Sequence, residues 1–277
     1  KEPGIEFLYS SALSFMLSAI VTKTTGEAVR DYLEPRMFQP LGISGLTWGA
    51  SPNGISSGGN GLTWTTADCL KLGIVHLDKG RWDGEQLLPQ SWVQEATRAQ
   101  VPDGNYGYQW WVNEAADAYY AEGAFGQFSV VFPKHDAVLA ITAGVPRGSP
   151  LESLIFKHFP AAFGDAGLAQ SDAATSELQD RLDNLRLLPL ARHTTSPMAQ
   201  QVAGRTYAIE PNDDNVSTVR LDFSDGRANF RLADHRGEHL VRVGLSDWIE
   251  SSTGITGNKL HHQYQSDDML VVAHGQW

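Results

Sequence analysis

Pro3-Gly4-Ile5-Glu6-Phe7-Leu8-Tyr9-Ser10-Ser11 runs straight into Ala12-Leu13-Ser14-Phe15-Met16-Leu17-Ser18-Ala19-Ile20-Val21, and this join decides how the first half of the chain is read. Leu13, Met16, Leu17, Ile20 and Val21 follow the i, i+3, i+4, i+7 spacing of a helix over Ser10 to Thr25 with one buried stripe. Gly26 ends it, as glycine commonly does just past a helix. Tyr9 and Ser11 then flank the start of that helix. Read alone, Tyr9 only anchors the helix start by packing.

Working outward, a second helix is expected from Glu27 to about Met37, then a loop at Pro40-Leu41-Gly42-Ile43. Ser51 to Gly61, rich in Gly, Ser, Asn and Pro, reads as a loop. Thr65 or Thr66 caps a helix to about Asp78, and Gln90 to Arg98 is a shorter one. From Tyr106 the period changes from helical to alternating. Tyr106 to Val112, Tyr119 to Gly123, Gln127 to Phe132 and Ala137 to Ala143 read as strands. Pro133-Lys134-His135-Asp136 turns between the last two, so the sheet is antiparallel. Leu151 to Phe159 is a helix to cover it.

Residues 164–200 are polar and read as a linker, with a helix over Ser176 to Leu188. Residues 201–277 look all-β. Ser217 to Phe223, Ala228 to Leu232, Glu238 to Val243, Trp248 to Ser252, Lys259 to Tyr264 and Met269 to His274 are the strands, with a hairpin signal at Asp225-Gly226. Short strands at this spacing suggest a small barrel or sandwich. The expected class is mixed α+β: an antiparallel sheet with helices over residues 1–163, a linker, then a barrel-like accessory domain.

The 277 residues carry a net charge of −11, with a pI near 5.2. Lys and Arg nowhere cluster among aromatics, which argues against nucleic acid and anionic membrane surfaces as partners. No apolar run reaches the length of a membrane span. A single cysteine forms no intrachain disulfide, so cysteine usage leaves the compartment open. Cys69 lies in an amphipathic helix and reads as a small core residue. His235 and His239 flank a turn and His261-His262 are adjacent, but neither a His-Glu-x-x-His nor a paired-cysteine spacing occurs, so no metal is implied. Gly58-Gly59-Asn60-Gly61 lacks the Lys-Ser/Thr of a phosphate loop and reads as structural. No cofactor is called for.

Pro3-Gly-x-x-Phe7-x-Tyr9-Ser10-Ser11 resembles the Pro-Gly-x-x-Phe-x-Tyr-Ser-Asn segment of the serine β-lactamase and penicillin-binding-protein family, in its class C and esterase branch. More follows in order: Thr25-Gly26, Phe38-Gln39-Pro40-Leu41-Gly42-Ile43, Ser57-Gly58-Gly59-Asn60-Gly61-Leu62, Thr65-Thr66-x-Asp68, Trp82-Asp83-Gly84, and Tyr106-Gly107-Tyr108-Gln109-Trp110-Trp111. It is the ordered series, not any single piece, that carries the resemblance.

That family attacks a carbonyl with a serine whose lysine partner stands three residues later. A tyrosine or serine shares the proton work, and an edge strand bearing Lys/His-Thr-Gly supplies an oxyanion N–H. The resemblance makes Tyr9 the proton-relaying tyrosine and puts Ser11 where asparagine is usual. It makes Gly123 the strand glycine and the N–H of Ala124 the oxyanion donor. Trp110, Glu122 and Gln127 are cleft candidates. Two parts depart from the pattern. Ser-x-x-Lys occurs nowhere in the sequence, and the third motif reads Ala121-Glu122-Gly123. The opening residues read as the interior of a longer polypeptide whose upstream segment carries the nucleophile. The resemblance thus implies an acyl-enzyme hydrolase of small ester, amide or peptide substrates in the intact protein, in an extracytoplasmic setting. This chain, inactive alone, would associate with the absent segment or with itself. The alternative is a non-catalytic binding module or pseudoenzyme on the same scaffold.

Overall fold

The computed structural model describes residues 5–101, 104–146, 148–164, 167, 169–187, 189, 193–255 and 268–277. The chain falls into two compact units, Lys1–Leu168 and Ala169–Trp277.

The first unit opens with α1 (Ser11–Thr25) and α2 (Val29–Leu33). Gly26 takes φ +78° and returns its N–H to the Thr22 carbonyl, as its position required. The second helix, expected to about Met37, widens after Leu33 into a π-type turn over Glu34–Phe38. Pro35 explains this, because it lacks the N–H that would continue the α ladder. Two short ladders follow, β1 (Thr47–Trp48) with β2 (Leu62–Thr63) and β3 (Arg81–Trp82) with β4 (Glu85–Gln86); α3 (Thr66–Leu77) lies between them and α4 (Gln90–Ala96) after. Phe38, Leu41, Ile43, Leu46 and Val75 form a core beneath these ladders.

Helix α3 starts on a reciprocal cap. Thr65 Oγ1 accepts the Asp68 N–H at 3.1 Å, and the Asp68 carboxylate accepts the Thr65 N–H at 3.3 Å. Burial works against the charge on Asp68, but hydrogen bonds from Thr65 and Lys71 outweigh it and hold the carboxyl below its ordinary value.

The sheet that α3 covers runs β5 (Trp111–Asn113), β6 (Ala118–Gly123), β7 (Gln127–Phe132), β8 (Ala137–Ile141), in that order and antiparallel throughout. Its two faces alternate. Tyr119 and Val131 pack with Ala96, Trp110 and Val138 on the α3 side. Tyr120, Phe128, Val130 and Phe132 pack with Ile155 of α5 (Leu151–Ala162) on the other. The strand expected from Tyr106 is shorter: the ladder begins at Trp111, while Tyr106 forms an isolated bridge to Trp111 across a tight loop in which Gln109 takes φ +67°.

Towards the sheet, α3 buries Cys69, Gly73 and His76, while its Val75 joins the core beneath the short ladders. The Cys69 thiol faces the Phe128 carbonyl at 3.5 Å, and burial pushes its pKa up to about 11, which leaves it unreactive. His76 sets Nδ1 2.9 Å from the Leu72 carbonyl and lies 4.5 Å from Trp110 with the rings tilted at 53°, and burial holds its pKa below the ordinary value.

The second unit contains α6 (Asp172–Asp183), α7 (Pro197–Val202), and strands β9 (Thr206–Ala208), β10 (Thr218–Ser224), β11 (Arg227–Asp234), β12 (Gly237–Gly244), β13 (Ile249–Thr253) and β14 (Met269–Ala273). Helix α6 begins earlier than expected because Ser171 Oγ caps it, accepting the Ala174 N–H at 3.2 Å. The strands are antiparallel as read, but the barrel expectation is corrected. Among the described residues they form an open sheet of order β12-β11-β10-β9 and a separate β13–β14 ribbon, joined by a bridge from Gly244 to His274. β9, only three residues long, ends the sheet without pairing back. The strand expected at Lys259 to Tyr264 lies outside the described residues. At the β11–β12 turn the buried Asp234 carboxylate accepts bonds from His239 Nε2 (2.9 Å), the Arg236 N–H (2.7 Å) and Arg236 Nη2 (3.1 Å). Burial opposes its charge, yet these bonds hold its pKa far below the usual carboxylate range.

Gly73 is where α3 comes closest to the sheet. A Cβ there would lie 2.4 Å from Val138 Cγ1 and 2.9 Å from Ser129 Oγ. Gly73→Ala gains helix propensity but overpacks this contact, so we expect a net loss of about 1–2 kcal/mol, read as a lower midpoint in chemical denaturation.

Candidate active site

Tyr9 is fixed from the side by aromatic rings. It stacks on Trp111 at 5.6 Å and 15°, and meets Tyr106 edge-on at 5.9 Å. Phe7 closes the group, 4.7 Å from Tyr106 and 5.8 Å from Trp111. Burial pushes the Tyr106 phenol up to about 12, with a smaller contribution from Tyr9. The cluster ties the residues before α1 to the start of β5, while the Tyr9 ring stays 53% exposed. Ser11 stands exposed in the first turn of α1.

The glycine loop lies directly under α1. A Cβ on Gly58 would fall 2.5 Å from the Ser14 carbonyl oxygen, and one on Gly59 would fall 3.1 Å from that of Ser11. Gly58 also takes φ +72°. Only glycine permits this approach. The loop therefore receives the small-residue side of α1, where the Ser18 and Thr22 hydroxyls are buried without a hydrogen-bond partner. This overturns the expectation for the apolar stripe. Leu13, Met16, Leu17 and Ile20 face outward, each more than half exposed. Periodicity finds the two sides of the helix, but close approach to Gly58 and Gly59 decides which side goes in.

At the far end of β6, Gly123, Ala124, Phe125 and Gly126 form the turn into β7, with Gly126 N–H bonded to Gly123 O at 3.3 Å. A Cβ on Gly123 would press within 3.0 Å of Gln127. Ala124 is exposed, and its N–H has no acceptor among the described residues. Gln127 does not reach into open space. Its Nε2 donates to the carbonyls of Ala124 (3.1 Å) and Ala143 (2.7 Å), and its Oε1 accepts the Ala143 N–H (3.2 Å). It is a brace for the turn.

Trp110, also expected at the cleft, is 5% exposed and lies in the core against Tyr119 and His76. The ring that meets Tyr9 belongs to its neighbour Trp111. Two adjacent tryptophans on an alternating segment offered no means of telling which faced which way. Glu122 stands on the exposed end of β6. Its carboxyl is pushed above its ordinary value by burial and then by the charge of Glu152, whose Oε1 accepts the Tyr120 hydroxyl proton at 2.6 Å. Tyr106, Trp111, Phe7 and Phe125 were missed as site residues. The first three sat in quoted motifs, and Phe125 stood at a turn position where glycine is usual. Among the described residues no three His, Cys, Asp or Glu side chains converge as metal ligands, and no helix is long and apolar enough to cross a membrane.

The sequence model of the family described as Beta-lactamase matches residues 1–152. The chain belongs to the β-lactamase family. It is similar to the 6-aminohexanoate-dimer hydrolase of Paenarthrobacter ureafaciens, 28% identical over 160 residues that cover 51% of this chain and 40% of that one. Among solved structures it resembles a putative 6-aminohexanoate-dimer hydrolase from Bacillus anthracis, with a TM-score of 0.52 and 22% identity over 58% of this chain and 45% of the other. That second likeness speaks for the β-lactamase-type fold. The chain spans less than half the length of either relative.

Glu122 gives the β-lactamase-family unit a signed pH dependence. Its folded pKa is raised above the ordinary 4.5, so its share of stability is full below that pH and is lost as pH rises through the raised value. Glu122→Gln should therefore flatten the melting temperature between about pH 4 and 7 and stabilise the neutral end. Thermal melts across that range check it.

Proposed function

We propose that this chain is part of an acyl-enzyme serine hydrolase acting on small ester, amide or peptide substrates, with a Ser-x-x-Lys pair supplied by polypeptide beyond the residues in hand. One observation carries the reading. The Ala124 N–H, which the resemblance would make the oxyanion donor, has no acceptor among the described residues, and Gln127 braces the turn that carries it. Such a donor needs no reorganisation when negative charge develops on a carbonyl oxygen.

In this reading the serine attacks the carbonyl carbon and the oxygen's new charge is held by Ala124 N–H. Tyr9 relays the serine proton to the leaving group. Phenols are poor bases at neutral pH, with an ordinary pKa of about 10, so the relay depends on the lysine. Tyr106 and Trp111 hold the Tyr9 ring in place. Ser11 stands ready to hydrogen-bond substrate or lysine, with less reach than the usual asparagine. Ala121 and Glu122 offer neither the cation nor the hydroxyl that binds a β-lactam carboxylate, and Glu122 repels anions. The substrate is thus neutral or cationic at that end. The relative from P. ureafaciens is named as a hydrolase of a 6-aminohexanoate dimer, a small-molecule substrate as in this reading.

The bare stripe of α1 fits the same reading. Four large side chains more than half exposed along one helix face need a cover, and the proposed cover is the segment bearing the nucleophile. Self-association of the chain through that face is the competing outcome.

A fluorophosphonate probe and paired assays test the proposal on the natural full-length protein. Covalent labelling and ester turnover well above nitrocefin turnover are expected, with Tyr9→Phe lowering ester kcat by about 100-fold or more. Nitrocefin turnover equal to ester turnover would overturn the substrate assignment. A natural product that has no Ser-x-x-Lys, fails to label and hydrolyses nothing would leave a binding module on a hydrolase scaffold.

A further inference from the structure

Phe125 combines three properties that do not serve folding. Its φ is +69°, a left-handed backbone that a bulky side chain adopts only under strain. Its ring is 42% exposed, so little burial offsets that strain. It directly follows Ala124, whose free N–H is the proposed oxyanion donor.

The strain is imposed by the surroundings. The Gln127 amide binds the Ala124 carbonyl just before Phe125 and both backbone groups of Ala143. The Phe125 carbonyl accepts the Val145 N–H at 2.9 Å. Gly126, at φ +97°, sits so tightly that a Cβ would lie 2.9 Å from Leu151 Cδ2 and from Val145 Cγ2. The backbone at 125 is thus left-handed whichever residue occupies it. Glycine would occupy it without strain, and asparagine with little. A phenylalanine there loses stability and gains an apolar ring beside the donor.

We infer that Phe125 is a specificity-determining residue whose ring contacts the acyl chain of the substrate. This rests on the hydrolase reading. A carbonyl oxygen bound at Ala124 N–H brings the first few atoms of the acyl substituent within reach of the neighbouring side chain. An apolar acyl group is the chemistry that an exposed phenylalanine ring beside the donor favours.

The test makes Phe125→Gly and Phe125→Leu in the natural full-length protein. It measures melting temperature and the hydrolysis of p-nitrophenyl acetate and p-nitrophenyl octanoate, which share a leaving group. The expected Gly variant melts at the same temperature or higher. Its KM for octanoate rises roughly three- to tenfold while acetate stays within about twofold. The Leu variant keeps most of the octanoate preference. A fall of several degrees in the Gly variant would show the ring to be a packing residue and overturn the inference, as would equal shifts for both esters. Unchanged chain-length discrimination with full ester turnover sinks the Phe125 role and leaves the hydrolase reading standing. If the unsubstituted protein hydrolyses neither ester, the hydrolase reading fails and the acyl-chain role fails with it.

Discussion

Contact between α3 and the sheet at Gly73 sets everything that follows in the first unit. The helix lies so close to Ser129 and Val138 that no side chain fits at its contact point. Buried Val131, Tyr119 and Trp110 occupy the remainder of that face. Because strand side chains alternate, filling the α3 side with these residues commits their neighbours to the opposite side. Trp111 is thereby turned towards Tyr9, and Tyr120 and Glu122 towards α5. A slip of one residue would exchange the two sets, putting Glu122 against apolar α3 and withdrawing Trp111 from Tyr9.

The turn after β6 shows how a rigid frame and a strained segment depend on each other. Gln127 directs its amide hydrogen bonds to the backbone of Ala124 and Ala143, so the turn is braced by its own strand neighbours. This is the arrangement under which an unfavourable φ persists. The aromatic group around Tyr9 works differently. Its rings are held by edge and stacking contacts, which fix orientation while leaving the hydroxyl end of Tyr9 open. One part of the candidate site is thus fixed by hydrogen bonds and the other by packing.

What the sequence disclosed follows the reach of each signal. The limits of β7, the Gly26 stop and the Thr65 cap were legible because alternation, left-handed glycine and a side-chain cap are local. The order of motifs through residues 1–152 was legible because each piece is short and self-contained. The outward apolar stripe of α1 was not, since it depends on Gly58 and Gly59, more than thirty residues away. The choice between Trp110 and Trp111 was hidden for the same reason, with the deciding partners on α3 and β6. No closed barrel forms among the described residues; short strands at regular spacing do not say whether the first and last will meet.

Two ionisable groups, one in each unit, lose their contributions to stability in different acid windows. In the first unit His76 is kept neutral by burial between α3 and Trp110, so its share of stability is present above its ordinary pKa and lost as pH falls. In the second, Asp234 keeps its charge far below the usual range because His239 and Arg236 surround it. Mild acid therefore removes the His76 contribution while the Asp234 carboxylate is still charged. The two contributions are thus lost in succession as pH falls, the imidazole's before the carboxylate's.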